Sequence, residues 1–503
     1  MYRSTVLAAA IAVAGSQTVS AACPVHPNVL DGGASAIAGF ANECQVSGVV
    51  LSPLTMDAAN LWVLEGKVEI GAAITSAEVV VGSGQFIINE ITTANASATT
   101  LTIDPGTTVI GDNAVGAAVD YLVINRGSDI IANASAQSPI RMTSRQDVAG
   151  LATAAAQWGG LYINGYGITN ECDTTTLPTP SAGDCERAGE ADTGRYGGAS
   201  NDDDSGVINY LTVAYAGNAF DPATDLNGIA FQAVGSGTSV SNIQVHQNFD
   251  DGVEFYGGAV EVSNVVLTDA GDDSFDSTGG WQGAAQFVII AQTSNTDPSL
   301  GDRLFESDNN SSPNNASPET NGVVSNVTMI AADAKGRDGL KVRRGSNLTI
   351  ANAVMNKVDG TCFDITDGKG NGNLNAPLIA ILAQCDGSVT DAVDSATWVN
   401  TNNAGEVTTG STSLNGYING FNEIAISATD LSADPRIEAT DFIGAVKDCD
   451  SDWTQGWTIP GTLPAVDASA CISSANVPVM GWAGMLALFA GLASIAGTSR
   501  RVR

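Results

Sequence analysis

The chain has 503 residues, with 54 acidic and 20 basic side chains and a net charge of −34. That imbalance excludes nucleic acid as a partner, because phosphate binding needs the opposite sign. Two histidines, no cysteine pair at zinc spacing and no glycine loop ahead of a helix leave no expectation of zinc, haem, a nucleotide or a Ser-His-Asp triad.

The first element is an export signal, residues 1–21. Arg3 precedes an apolar run from Val6 to Gly15, and Val19, Ser20 and Ala21 supply small residues for cleavage after Ala21 or Ala22. A lipid-anchored alternative would use Cys23, although Ser20 stands where a branched apolar residue is wanted. Eight cysteines in an exported chain point to disulfides, and their clustering predicts sequential pairs: Cys23–Cys44, Cys172–Cys185, Cys362–Cys385 and Cys449–Cys471.

Residues 22–60 read as an N-terminal cap, and 61–375 as a solenoid. Two motifs recur at intervals of about 22 residues. The first is an apolar residue, any residue, then asparagine, as at Asn209, Asn242, Asn264, Asn326 and Asn352. The second is a polar start followed by apolar-x-apolar, as in Gly228-Ile229-Ala230-Phe231, Gly252-Val253-Glu254-Phe255, Asp273-Ser274-Phe275 and Gly339-Leu340-Lys341-Val342. Short strands on this period predict a parallel β-helix, whose coils stack about 4.8 Å apart and bring equivalent residues into columns. Asparagine at one corner can satisfy its amide against the copies above and below. An array of β-sandwiches is the competing architecture. Loop insertions are expected at about 167–204 and 292–320, and an irregular C-terminal cap at 376–475.

The series LTIDPGTTVIG, YLVINRGSDIIA, PIRMTS and WGGLYING, followed by DDGVEFYGG, GDDSFDSTGGWQG and GDRLFESDN, resembles secreted right-handed β-helix proteins of the pectin-lyase-like superfamily. The resemblance spans roughly residues 50 to 365. It implies an all-β fold and export, and it names no reaction.

The chemistry of the solenoid concentrates in Asp250, Asp251, Glu254, Asp269, Asp272, Asp273 and Asp276, followed by Asp302, Glu306 and Asp308. Asp251 and Asp273 lie 22 residues apart and should stack, so a cation or a shared proton must relieve the repulsion. Hard oxygen donors favour calcium, with Asp250, Asp251, Asp272, Asp273 and Asp276 as candidate ligands. A solvated acidic corner is the plain alternative. A polysaccharide lyase or hydrolase would draw on Asp272, Asp273 and a basic residue such as Arg343, but this sequence lacks the polygalacturonase triplet Asn-Thr-Asp and its Gly-His-Gly. Catalysis stays undecided, and non-enzymatic adhesion, glycan binding or an envelope structural role is preferred. Trp158, Tyr162, Tyr166, Tyr256 and Trp281 could form a sugar platform, although plugging the solenoid suits them better.

The chain closes on Val477-Pro478-Val479-Met480-Gly481-Trp482, an apolar helix to Gly497, then Arg500, Arg501 and Arg503. This segment, 477–503, is similar to the IPTL-CTERM and PEP-CTERM sorting signals, in which Pro478, Trp482, Arg500 and Arg501 would be the recognised features. The similarity implies transient inner-membrane anchoring through the tail alone, handling by export and sorting machinery, and display at the cell surface or release. Loss of both ends takes away four arginines and no acid, which lowers the charge from −34 to about −38. The partner expected there is a glycan or a surface protein.

Overall fold

A computed structural model describes residues 22–74, 78–81, 85–88, 95–112, 118–171, 185–221, 224–292, 301–331, 337–366, 377–390, 399 and 405–471. The expected signal, the tail with Pro478, Trp482, Arg500 and Arg501, and the Cys172 partner of Cys185 lie outside these residues. No helix among the described residues is long and apolar enough to cross a membrane.

The chain winds as a right-handed parallel β-helix with three sheets. The first sheet holds Leu54–Met56, Thr100–Ile103, Asp129–Asn133 and the leading halves of Gly206–Ala214, Ser239–His246, Glu261–Thr268, Ala284–Gln292, Val323–Ala331, Thr349–Val358 and Leu378–Cys385. The trailing halves of these long strands join Thr108–Gly111 and Ile140–Ser144 in the second sheet, which ends at Val407–Thr409. The third holds Tyr121–Ile124, Leu161–Asn164, Ile229–Gln232, Val253–Tyr256, Phe275–Thr278, Arg303–Ser307, Asp338–Val342, Thr361–Ile365 and Ser388–Thr390. Inward residues fill the interior. Phe231, Phe255, Phe275 and Phe305 stack up the axis at ring separations of 5.3, 5.0 and 4.4 Å.

The repeating asparagine marks the bend between the first two sheets, but for a different reason from the one expected. Register places Tyr210, Asn242, Asn264, Phe287, Asn326, Asn352 and Ala380 at equivalent positions. All seven have φ between 52° and 61°. The left-handed conformation costs an L residue roughly 1–2 kcal/mol, and asparagine tolerates it best after glycine. The motif therefore records a backbone requirement rather than an amide stack. Asn209 lies one residue before the bend, and its carboxamide accepts from the Asn242 amide at 2.9 Å.

Three boundaries move. Coiling begins within the expected N-terminal cap, because Asn42–Val50 already pairs in parallel with Leu61–Ile70. The expected loop 292–320 contains the rung Arg303–Ser307, in which the buried Phe305 continues the aromatic stack. Past residue 375, Leu378–Cys385, Ser388–Thr390 and Val407–Thr409 add further rungs. The remainder to residue 471 lies along the side of the helix as a strap, not across its end. Thr429 bonds Asn352, Phe442 bonds Asn326, Glu438 bonds Gln286 and Ile459 bonds Gln244. Trp457 reaches Tyr210, their rings 5.8 Å apart. Outward Val266, Ile289, Ala291 and Ile330 pack with Tyr417, Ala445, Val446 and Trp457 of the strap. These rungs are apolar on both faces because both faces are covered.

Disulfides join Cys23–Cys44, Cys362–Cys385 and Cys449–Cys471, as the spacing predicts.

Candidate functional site

The site is built by one column on the outer face of the third sheet. Register aligns Val123, Tyr162, Ala230, Glu254 and Asp276 on successive coils, and then Glu306, Lys341 and Asp364. The first three are apolar because the insertion near residues 185–204 folds over them: Tyr121, Tyr162, Ala191, Tyr196 and Tyr256 form one buried cluster. The insertion is tied down by Glu186, which accepts from the buried Arg126 guanidinium at 2.7 Å and also pairs with Arg195. The expected aromatic platform is spent on packing: Tyr162 and Tyr256 lie in this cluster, Trp158 and Trp281 in the solenoid core, and Tyr166 is buried as well.

Beyond the insertion the column turns ionic, and its two ends differ. At the far end the charges are matched. Lys341 pairs with Asp364, Arg343 pairs with Glu306 and with Asp308 at 2.9 Å, and Arg344 reaches Asp308 at 2.6 Å. Arg303 lies 2.7 Å from both Asp302 and Glu306, and 3.6 Å from Asp273. At the near end, Asp250, Asp251, Glu254, Asp272 and Asp276 form no ion pair with any described residue. Their oxygens converge in two sets sharing Asp251: Asp250, Asp251 and Asp272, and Asp251, Glu254 and Asp276, each within 4.8 Å.

Asp273, expected beside Asp251, is diverted. Its backbone N–H donates to Asp251 Oδ1 at 2.9 Å, while its own carboxylate faces Arg303 and Glu306. Asp273 Oδ1 is buried without a hydrogen-bond partner. Glu254 takes the place expected of Asp273. It accepts from Asn227 Nδ2 at 2.7 Å and from the Tyr256 hydroxyl. The signal for it was present in the sequence, since Glu254 and Asp276 each follow a repeated Asp-Asp pair by three residues.

Crowding raises proton affinity throughout the group. Burial, then the Asp272 carboxylate, pushes Asp250 up to about 8. Burial with Asp250 and Glu254 holds Asp251 well above the usual carboxylate range, and burial with Asp276 does the same to Glu254. Asp276 is raised by burial and Glu306, and Asp272 by burial and Asp302. Burial lowers Arg303, but Asp273, Glu306 and Asp302 outweigh it and hold the guanidinium above its ordinary value. A cluster that can ionise only at high cost either keeps protons or accepts a cation. Oxygen-only donors on a rigid sheet fit a hard divalent ion of the calcium class.

A family model described as "Pectate-lyase like beta helix domain" matches residues 73–458. Among solved structures, "Crystal structure of pectate lyase Pel9A" is similar at 11% identity and a TM-score of 0.33, covering 84% of this chain and 86% of that one. No curated protein sequence matches.

Proposed function

From a chain that belongs to the pectate-lyase-like β-helix family, we propose an exported surface protein that binds a glycan or a partner protein without cleaving it, its solenoid held by calcium. One observation carries the reading: five carboxylates gather at the near end of the third-sheet column and form no ion pair with any described residue. Asp250, Asp251, Glu254, Asp272 and Asp276 would hold the ion, which would neutralise them and fix adjacent coils to one another. The disulfides support an oxidising exterior. Delivery would use the N-terminal signal and the tail bearing Pro478, Trp482, Arg500 and Arg501, with the tail as the sole membrane contact and the export and sorting machinery as its readers.

The alternative is a polysaccharide lyase or hydrolase, and the lyase form needs a base with a lowered pKa beside the ion. Arg303 and Arg343 are each held by carboxylates, and Arg303 is shifted upward. The test titrates calcium into the full chain at pH 7 by calorimetry, using wild type and Asp251→Asn, and incubates wild type with polygalacturonate. The reading expects binding that the variant loses and no unsaturated ends. Product formation would overturn the non-catalytic part, and absence of binding would overturn the cation.

A further inference from the structure

The strap leaves part of the bend between the first and second sheets uncovered, across the helix from the acidic face. A groove of about 560 Å³ opens there, between Ser239, Ser241, Ser263 and Glu261 of the first sheet and Arg436 and Glu438 of the strap. Asn264 and Phe287 border it, and both also border a second hollow of about 220 Å³ walled by Phe442, Lys447 and Trp453. The two hollows adjoin at these shared residues, and the channel they would make together is hydroxyl- and carboxylate-lined at one end and aromatic at the other.

We propose that this channel binds a neutral oligosaccharide. The inference rests on the non-catalytic surface reading above and is independent of the calcium site. Phe287 stacks on Phe442, Lys447 lies over Phe442 and Trp453 stacks on Trp457, so these half-buried rings offer a sugar only their remaining edges, and the main contacts fall to equatorial hydroxyls, which serines, amides and carboxylates can bond.

The state of Asn264 distinguishes this channel from ordinary surface. The other asparagines of the left-handed column use their amides: Asn242 donates to Asn209, Asn326 to the Phe442 carbonyl at 2.8 Å, and Asn352 to the Thr429 carbonyl at 3.0 Å. The side chain of Asn264 bonds no described residue, and it stands where the two hollows join. Its carboxamide is held at a fixed bend with a donor and an acceptor to offer.

Charge selects the sugar class. Arg436 is engaged by Asp434 at 2.9 and 2.6 Å, and Lys447 by Asp441 at 2.7 and 2.9 Å. Glu261 and Glu438 add negative charge. No uncommitted cation lines the channel, so a polyuronate would be repelled.

The test is calorimetric titration of the full chain with cellohexaose, xylohexaose, mannohexaose and hexagalacturonate. At least one neutral hexasaccharide binds and hexagalacturonate does not. Asn264→Gly, which keeps the left-handed bend, weakens that binding about ten-fold with an unchanged melting midpoint, as loss of one or two hydrogen bonds requires. Glu261→Gln, a second variant remote from the bend, weakens it as well. No binding by any neutral sugar, equal binding of hexagalacturonate, or full affinity in Asn264→Gly overturns the proposal. Failure of calcium titration with neutral-sugar binding intact would discard the cation and leave this channel standing.

Discussion

Removing divalent cations should invert the usual pH dependence of a protein's stability. In the cation-free fold Asp250 titrates near 8 rather than 3.8, and Asp251, Glu254, Asp272 and Asp276 are shifted the same way. A group whose folded pKa is raised stabilises fully below its unfolded pKa, and that contribution is lost as pH rises through the folded value. The window here is about 4 to 8. Each carboxyl that stays protonated in the fold but ionises on unfolding removes about 1.4 kcal/mol per pH unit. Neighbours relieve one another, so one or two such protons are expected, and raising the pH from 5 to 7 then costs about 3–6 kcal/mol. For the span of roughly 450 residues from 22 to 471, 1 kcal/mol moves the melting midpoint by about 1 °C. Melting followed by circular dichroism in EDTA should therefore fall by about 3–6 °C between pH 5 and 7, while the same scan in calcium stays level. A midpoint in EDTA that is flat or climbs over that interval would refute the reasoning, because no carboxyl would then be carrying an extra proton.

Phe275 stands inside the aromatic stack, fully buried and 4.4 Å from Phe305 by ring centroid. Phe275→Ala should cost about 3–5 kcal/mol in urea unfolding, and a loss under 1 kcal/mol would mean that the stack is dispensable. At the left-handed bend, Asn242→Val should be less stable than Asn242→Gly by about 1–2 kcal/mol, since only the β-branched residue resists a φ of 52°; equal midpoints would remove backbone conformation as the cause of the motif. Replacing Cys362 and Cys385 together by alanine opens a 23-residue separation and should cost about 3 kcal/mol. That figure is checked by comparing unfolding midpoints of the oxidised parent and the double variant.

The coil period was legible because core-facing residues must recur wherever the chain passes the axis, and the pairs Asp251–Asp273 and Val253–Phe275 fall in the register that spacing alone suggests. The handed bend was legible only as a residue preference, so Tyr210, Phe287 and Ala380, which obey the same geometry with other side chains, were invisible. The acidic group could be found but not sorted. Side-chain direction decides that Glu254 joins Asp251 while Asp273 turns to Arg303, and direction follows from where each strand begins. Packing of the strap was hidden for another reason: Phe442, Trp453 and Trp457 bury against rungs more than a hundred residues away, and no periodicity links the two.

A stack whose coils touch only their neighbours can melt one coil at a time from either end. The strap changes that arithmetic, since one continuous segment touches rungs at Tyr210, Gln244, Gln286, Asn326 and Asn352. Opening any of those coils also means detaching the strap, which in turn loosens rungs several turns distant. Fraying is thereby confined to the coils outside its reach, and the middle of the solenoid should exchange its amide hydrogens as a single block.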